Sequence, residues 1–379
     1  MATAPVVDAP LVNLDRLRDL FETLNVRAVV CRGGVNVAYL SGVATPGTLG
    51  RHLDFADTER ETFVVWPVDG RPVLVVSEIA SDVARSTSWV ADVRTYRDYA
   101  EAPEAILARA LKDLGLDSAR VGFDQAWFGA RRWSQLAGLI PNVDVADCTD
   151  GMESVRAIKT PAEIARLRHA ARVLDTAIAE VFPTVCAGQT EREVHAAIVS
   201  RAIGLGASAC HGILQASSNR VLYGGESDVR LAPADLVRTD YVAYVDGYAA
   251  NVSRILHIGR PSARVLDDYA TYLRIYLECA SLLVPGVTGG ELHAAFRRVM
   301  ARYGWPAGPP ISGHGVGVWF HQQRPLLVEG SADRLEPRMV VAIEPISGLW
   351  HLQDEYLLTD REPERISESF PLEEMPWVA

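Results

Sequence analysis

Upstream of Asp150, apolar runs of strand length at Val26 to Cys31, Thr62 to Trp66, Val73 to Val76 and Val121 to Phe123 alternate with helical stretches at Leu14 to Leu24 and Ala102 to Leu114. That alternation predicts a small α/β domain on a mixed sheet. Downstream, Thr160 stands where an N-cap belongs, Pro161 suits the first helical position, and Glu163 completes a capping box. Ile164, Leu167, Ala171 and Leu174 follow at helical spacing and are read as core. A second box, Thr190 with Glu193 after Gly188, opens another helix. From Asp235 onward, β-rich runs separated by glycine turns (Val242 to Val245, Val340 to Ile343, Tyr356 to Leu358) predict an antiparallel sheet. Helices such as Asp267 to Leu283 are expected to pack on it.

At 379 residues and 49% hydrophobic, the chain is long enough for two domains with substantial cores, drawn here as 1–152 and 153–379. A net charge of −11, with no Lys/Arg run to offset it, excludes a nucleic-acid or anionic-membrane surface. The five cysteines (Cys31, Cys148, Cys186, Cys210, Cys279) form no C-x-x-C pair, and reduced thiols in a cytoplasm are expected. Met1-Ala2-Thr3-Ala4-Pro5 has neither a basic region nor an apolar core of signal-peptide length, and the apolar runs elsewhere are strand-sized, so no membrane segment is expected. Lysine occurs only at Lys112 and Lys159 while arginine is abundant, which points to a GC-rich bacterial genome.

The candidate chemistry lies in the second half. Asp240 follows Asp235-Leu236-Val237-Arg238-Thr239, and Asn251 and Arg254 lie in Gly247-Tyr248-Ala249-Ala250-Asn251-Val252-Ser253-Arg254. His314 sits in Gly313-His314-Gly315-Val316-Gly317, where the glycines allow close approach of backbone and ligand, and His321 follows. Glu344 lies in Ile343-Glu344-Pro345, and Gln353 in Leu352-Gln353-Asp354. A buried, unpaired carboxylate is costly, so a polar pocket is the expected home of Glu344. Trp319 and Trp350 border these motifs and are read as pocket walls or as core.

These motifs resemble those of the pita-bread superfamily of methionine aminopeptidase, aminopeptidase P, prolidase and creatinase. Arg156-Ala157-Ile158-Lys159-Thr160-Pro161 resembles the opening of the pita-bread domain, and Asn36-Val37-Ala38-Tyr39-Leu40-Ser41-Gly42 resembles an element of the creatinase and prolidase N-domain. The fold class so implied is α+β: a small N-terminal α/β domain of creatinase/prolidase type, then a pita-bread domain with a curved antiparallel sheet covered by helices. Asp240, His314 and Glu344 match ligand positions of the two-metal peptidases, whereas Asn251 and Gln353 stand where bridging carboxylates belong. An amide offers one acceptor oxygen and a donor NH2, and the formal ligand charge falls from about −4 to about −2. The resemblance therefore implies a site without a metal cofactor, as in creatinase. The upstream histidine of the family is replaced by Tyr223, and His211 is out of register with it.

The expectation is a metal-independent, creatinase-like enzyme hydrolysing a C–N bond of a small amino- or guanidino-bearing molecule. His314, His321, Glu344, Asp240 and Tyr223 are the catalytic candidates, and Asn251, Gln353, Trp319 and Arg254 the substrate contacts. The alternatives are a metal-free lyase, dehydratase or cyclase, a non-catalytic binding module, and a weak mononuclear metallopeptidase. The resemblance also implies a homodimer.

Overall fold

A computed structural model describes residues 11–43, 60–221, 227–306, 308–319 and 323–379, and the chain divides into two compact units, 1–156 and 157–379. In the first unit the order is α1 (Leu14–Leu24), β1 (Ala28–Arg32), α2 (Gly34–Ser41), β2 (Phe63–Pro67), β3 (Val73–Ser77), α3 (Ser81–Thr87), β4 (Asp92–Tyr96), α4 (Pro103–Asp113), β5 (Arg120–Phe123), α5 (Ala130–Leu139), β6 (Asp144–Asp147) and α6 (Thr149–Ala157). The strands form one sheet in the order β4-β3-β2-β1-β5-β6, antiparallel at β1/β2 and β2/β3 and parallel elsewhere. This is the mixed sheet the alternation predicts. Its core gathers Val30, Phe63, Val75, Leu107 and Phe123, all buried. Helix α1 starts where Asn13 accepts a hydrogen bond from the Arg16 amide and stops where Asn25 turns left-handed (φ 51°).

The second unit begins with α7 (Pro161–Val181) and α8 (Glu191–Gly204), then β7 (Ala209–Ala216), β8 (Leu236–Val245), β9 (Tyr248–Val252), β10 (Ile255–Ile258), α9 (Ala263–Ser281) and α10 (Gly289–Arg302). It ends with β11 (Ile311–Gly315), β12 (Gln323–Val328), β13 (Val340–Ile343), β14 (Asp354–Leu357), β15 (Glu364–Arg365) and β16 (Trp377–Val378). Both predicted capping boxes form, with the Thr160 and Thr190 hydroxyls accepting from the Glu163 and Glu193 amides and each glutamate reaching back to its cap. A third box, Thr288 with Glu291, opens α10. Ten buried residues of α7, among them Leu167, Leu174 and Ile178, face inward.

Among the described residues the expected single sheet is two. One runs β16-β10-β8-β7 with β9 on β8; the other runs β12-β11-β13-β14-β15. They meet at Ser253 and Gln353, whose backbones exchange two hydrogen bonds of 3.1 and 3.2 Å. Beside that bridge, Arg254 is fully buried between Asp175 of α7 (2.5 Å) and Asp354 of β14 (2.8 Å), and also donates to the carbonyls of Ser253 and Gln353. Burial disfavours the guanidinium charge, but the two carboxylates outweigh it and its pKa is raised.

This corrects the expected substrate role of Arg254, because a side chain enclosed on all sides and committed to Asp175, Asp354 and two carbonyls has no route to a ligand. Among the described residues no helix is long and apolar enough to cross a membrane.

Removing one partner of a buried ion pair strands the other charge. Arg254→Ala is therefore expected to lower unfolding free energy by about 3–5 kcal/mol. Urea denaturation of the wild type and the variant measures it; a loss under about 1 kcal/mol would show that the pairs do not hold the two sheets together.

Candidate active site

The β8/β9 hairpin sets the first half of the site. Asp246 and Gly247 both have positive φ (49° and 80°), the type I′ pattern that an Asp-Gly turn favours between two twisted strands. The register so fixed places Asn251 opposite Val242 and Asp240 on the partly exposed face of β8. The second half comes from the other sheet. Gly313 and Gly315 flank His314, and a Cβ at either position would collide with a backbone carbonyl, of Ala342 and Arg324 respectively. The glycines let β11 lie close against β12 and β13. Ile343 pairs with Asp354, so Glu344 and Gln353 continue the β13/β14 ladder side by side at its end.

A directed chain of hydrogen bonds joins these residues. The Asn251 amide nitrogen donates to the Tyr241 carbonyl (3.1 Å) and to Asp240 Oδ1 (3.1 Å); since a carbonyl only accepts, this fixes the orientation of the amide. Its oxygen then accepts from Gln353 Nε2 (2.9 Å), and the Gln353 oxygen accepts from the Ser253 hydroxyl (3.1 Å). Gln353 Nε2 also faces His314 Nε2 at 3.4 Å. His314 Nδ1 lies 3.2 Å from the Gly315 carbonyl and so carries the proton, leaving Nε2 as the acceptor. Glu344 Oε1 is 4.0 Å from His314 Nε2. His314 is fully buried, and Asn251, Glu344 and Gln353 are nearly so.

The structure thus brings Asp240, Asn251, His314, Glu344 and Gln353 into one cluster. The Trp319 ring is tilted against Tyr244 at 6.1 Å. His321 and Tyr223 fall outside the described residues.

Three further residues join the site. His211 of β7 feels the charge of Asp240, which opposes the lowering of its pKa by burial. Glu355 accepts from the Asn251 backbone amide (2.8 Å), and burial drives its pKa well above the ordinary carboxylate value. His351 is fully buried with Nε2 3.5 Å from Glu344 Oε2. The missed signal is alternation: residues 351, 353 and 355 are two apart in an extended segment and share a face. A cavity of about 550 Å³ lined by Leu273, Leu277, Arg365 and Leu372 contains none of the clustered residues.

This donor set does not fit a carboxylate-bridged pair of metal ions. The lone pairs that two cations would share at Asp240 Oδ1 and Asn251 Oδ1 already accept amide N–H groups, and His314 Nε2 faces another. Among the described residues no group of three His, Cys, Asp or Glu side chains is arranged to hold an ion.

The model of metallopeptidase family M24 matches residues 165–369, and that of the Creatinase/Prolidase N-terminal domain matches residues 13–158. The chain is similar to a Xaa-Pro dipeptidase of Lactobacillus delbrueckii subsp. lactis, 26% identical over 349 residues that cover 88% of this chain and 89% of the relative. Among solved structures it is similar to dipeptidase PepE from Mycobacterium ulcerans (26% identity, TM-score 0.78, 97% of this chain and 98% of that one). It also shares the fold of a Xaa-Pro dipeptidase from Bacillus anthracis (22%, TM-score 0.78, 97% and 99%).

These relatives overturn the expectation of metal-independent, creatinase-like chemistry: they carry the names of dipeptidases within a metallopeptidase family. The two amides remain a local departure from the motif.

Asn251→Asp with Gln353→Glu returns two carboxylates and removes the competing donors. The double variant is expected to bind Mn²⁺ roughly tenfold or more tightly than the wild type in calorimetric titration, since ligand charge sets affinity for hard cations. Equal affinities would show that these positions do not face a common ion site.

Proposed function

We propose, on the premise that this chain belongs to metallopeptidase family M24, that it hydrolyses the C–N bond of a small dipeptide-like substrate, with Xaa-Pro dipeptides the first class to test. The observation that supports this is the convergence of Asp240, Asn251, His314, Glu344 and Gln353 from two sheets on one cluster that is buried except at Asp240.

In this reading the charged groups divide the substrate between them. Asp240, at the partly exposed end, and Glu344, at the buried end, are the anionic groups that can take a cationic α-amino group. Charge-assisted hydrogen bonds of this kind are about twice as strong as neutral ones. The Asn251 and Gln353 amides present both donors and acceptors and orient polar groups of the peptide. His314, with its proton on Nδ1, offers an acceptor at Nε2. The burial of the cluster excludes water from all but its Asp240 end, which strengthens each of these interactions.

The test is a panel of dipeptides and their N-acetyl forms incubated in ¹⁸O-water, with and without added Mn²⁺, and read by mass spectrometry. Cleavage of free-amino dipeptides with one labelled oxygen in the products is expected, with the N-acetyl forms at least roughly tenfold poorer because the paired charge is lost. Absence of both binding and cleavage across the panel would refute the proposal.

A further inference from the structure

We infer that His351 is a positioning residue of this site, setting the orientation of the Glu344 carboxylate beside His314. The His351 ring is fully buried, and neither nitrogen has a hydrogen-bond partner among the described residues. Its Nε2 lies 3.5 Å from Glu344 Oε2, while the other carboxylate oxygen lies 4.0 Å from His314 Nε2. An imidazole carries an N–H in either tautomer, and an ionised carboxylate only accepts, so a small closure of the 3.5 Å contact completes a donor–acceptor pair. Leaving a buried polar group unpaired costs about 1–3 kcal/mol, and this pairing recovers that cost.

The spacing of the pair is built into the backbone. The Tyr272 hydroxyl donates to the Pro345 carbonyl (3.0 Å) and accepts from the Leu352 amide (3.0 Å). One phenol thus ties the residue after Glu344 to the residue after His351. Ser347 and Trp350 close the intervening turn with two backbone hydrogen bonds of 3.0 Å, and the Trp350 ring packs with Tyr272 and Trp305 at 5.9 and 5.6 Å. Tyr272 itself is buried in α9. The geometry therefore presents His351 to Glu344 on a rigid frame rather than on a loop free to turn away.

The inference rests on the proposed peptidase reading only for its kinetic consequence, so the experiment has two arms. Histidine-selective ¹⁵N NMR follows the His314 ring in the wild type, in His351→Leu, which removes the donor, and in His351→Gln, which keeps one. A shifted His314 resonance in the leucine variant, restored toward the wild type by glutamine, is expected. In dipeptide turnover, kcat/KM of the leucine variant is expected to fall about tenfold or more, and glutamine to recover most of the loss, as for residues that orient a substrate-binding group. If the leucine variant does not fold, His351→Asn, whose shorter amide cannot span the gap, takes its place. An unchanged His314 resonance in a folded variant overturns the inference whether or not the wild type cleaves dipeptides. Wild-type inactivity toward dipeptides overturns the functional proposal instead, and the resonance arm then decides the role of His351.

Discussion

The guanidinium of Arg254 is the constraint on which the site depends. The two sheets of the second unit are joined by a backbone bridge at Ser253 and Gln353, and its two backbone hydrogen bonds alone are a weak hinge. Arg254 reinforces it by donating to both of those carbonyls while pairing with Asp175 of α7 and Asp354 of β14. Asp354 is held further by the Tyr276 and Ser367 hydroxyls (2.8 and 2.7 Å), and Asp175 by the Ser369 amide (3.1 Å). Burying three charges together is costly in isolation, and the surrounding donors offset that cost. What the network fixes is position: Asn251 on one sheet and Gln353 on the other end up 2.9 Å apart, amide to amide.

That closeness gives the two amides their effect. Two carboxylates in such positions repel each other unless a cation lies between them. Two amides instead satisfy each other, and the chain from His314 through Gln353 and Asn251 to Asp240 is closed by the protein's own donors and acceptors. The remaining negative charge is concentrated at Asp240 and Glu344, at opposite ends of the chain. Under the proposed function, the cationic amino terminus of a dipeptide and its neighbouring polar atoms match that arrangement.

Much of this was legible in the sequence because local rules and tertiary packing agree. The capping boxes at Thr160 and Thr190, the alternation upstream of Asp150 and the run Val340 to Ile343 became the elements they announce. The motifs around Asp240, Asn251, His314, Glu344 and Gln353 named residues that meet in space. Arg254 was misread because the same motif that marks the site also supplies the clamp beneath it, and a buried arginine is indistinguishable in sequence from an exposed one. His351 was missed because its importance comes from a register, that of residues 351, 353 and 355 in one extended segment, and from Tyr272, contributed by a distant helix. The split into two sheets also depends on long-range pairing, which apolar periodicity does not encode.

The chemistry inferred from the amides was wrong in direction for a related reason. A substitution at two ligand positions describes what a site has lost, whereas the activity follows from the whole pocket. A crystal structure of the protein with a slowly cleaved Xaa-Pro analogue is the most direct measurement of what the pocket holds. Its α-amino group within hydrogen-bond distance of Asp240 or Glu344, with its amide against Asn251 or Gln353, is the expected result. An analogue seated elsewhere, such as in the cavity lined by Leu273, Leu277 and Arg365, or not bound at all at saturating concentration, would contradict the proposed function.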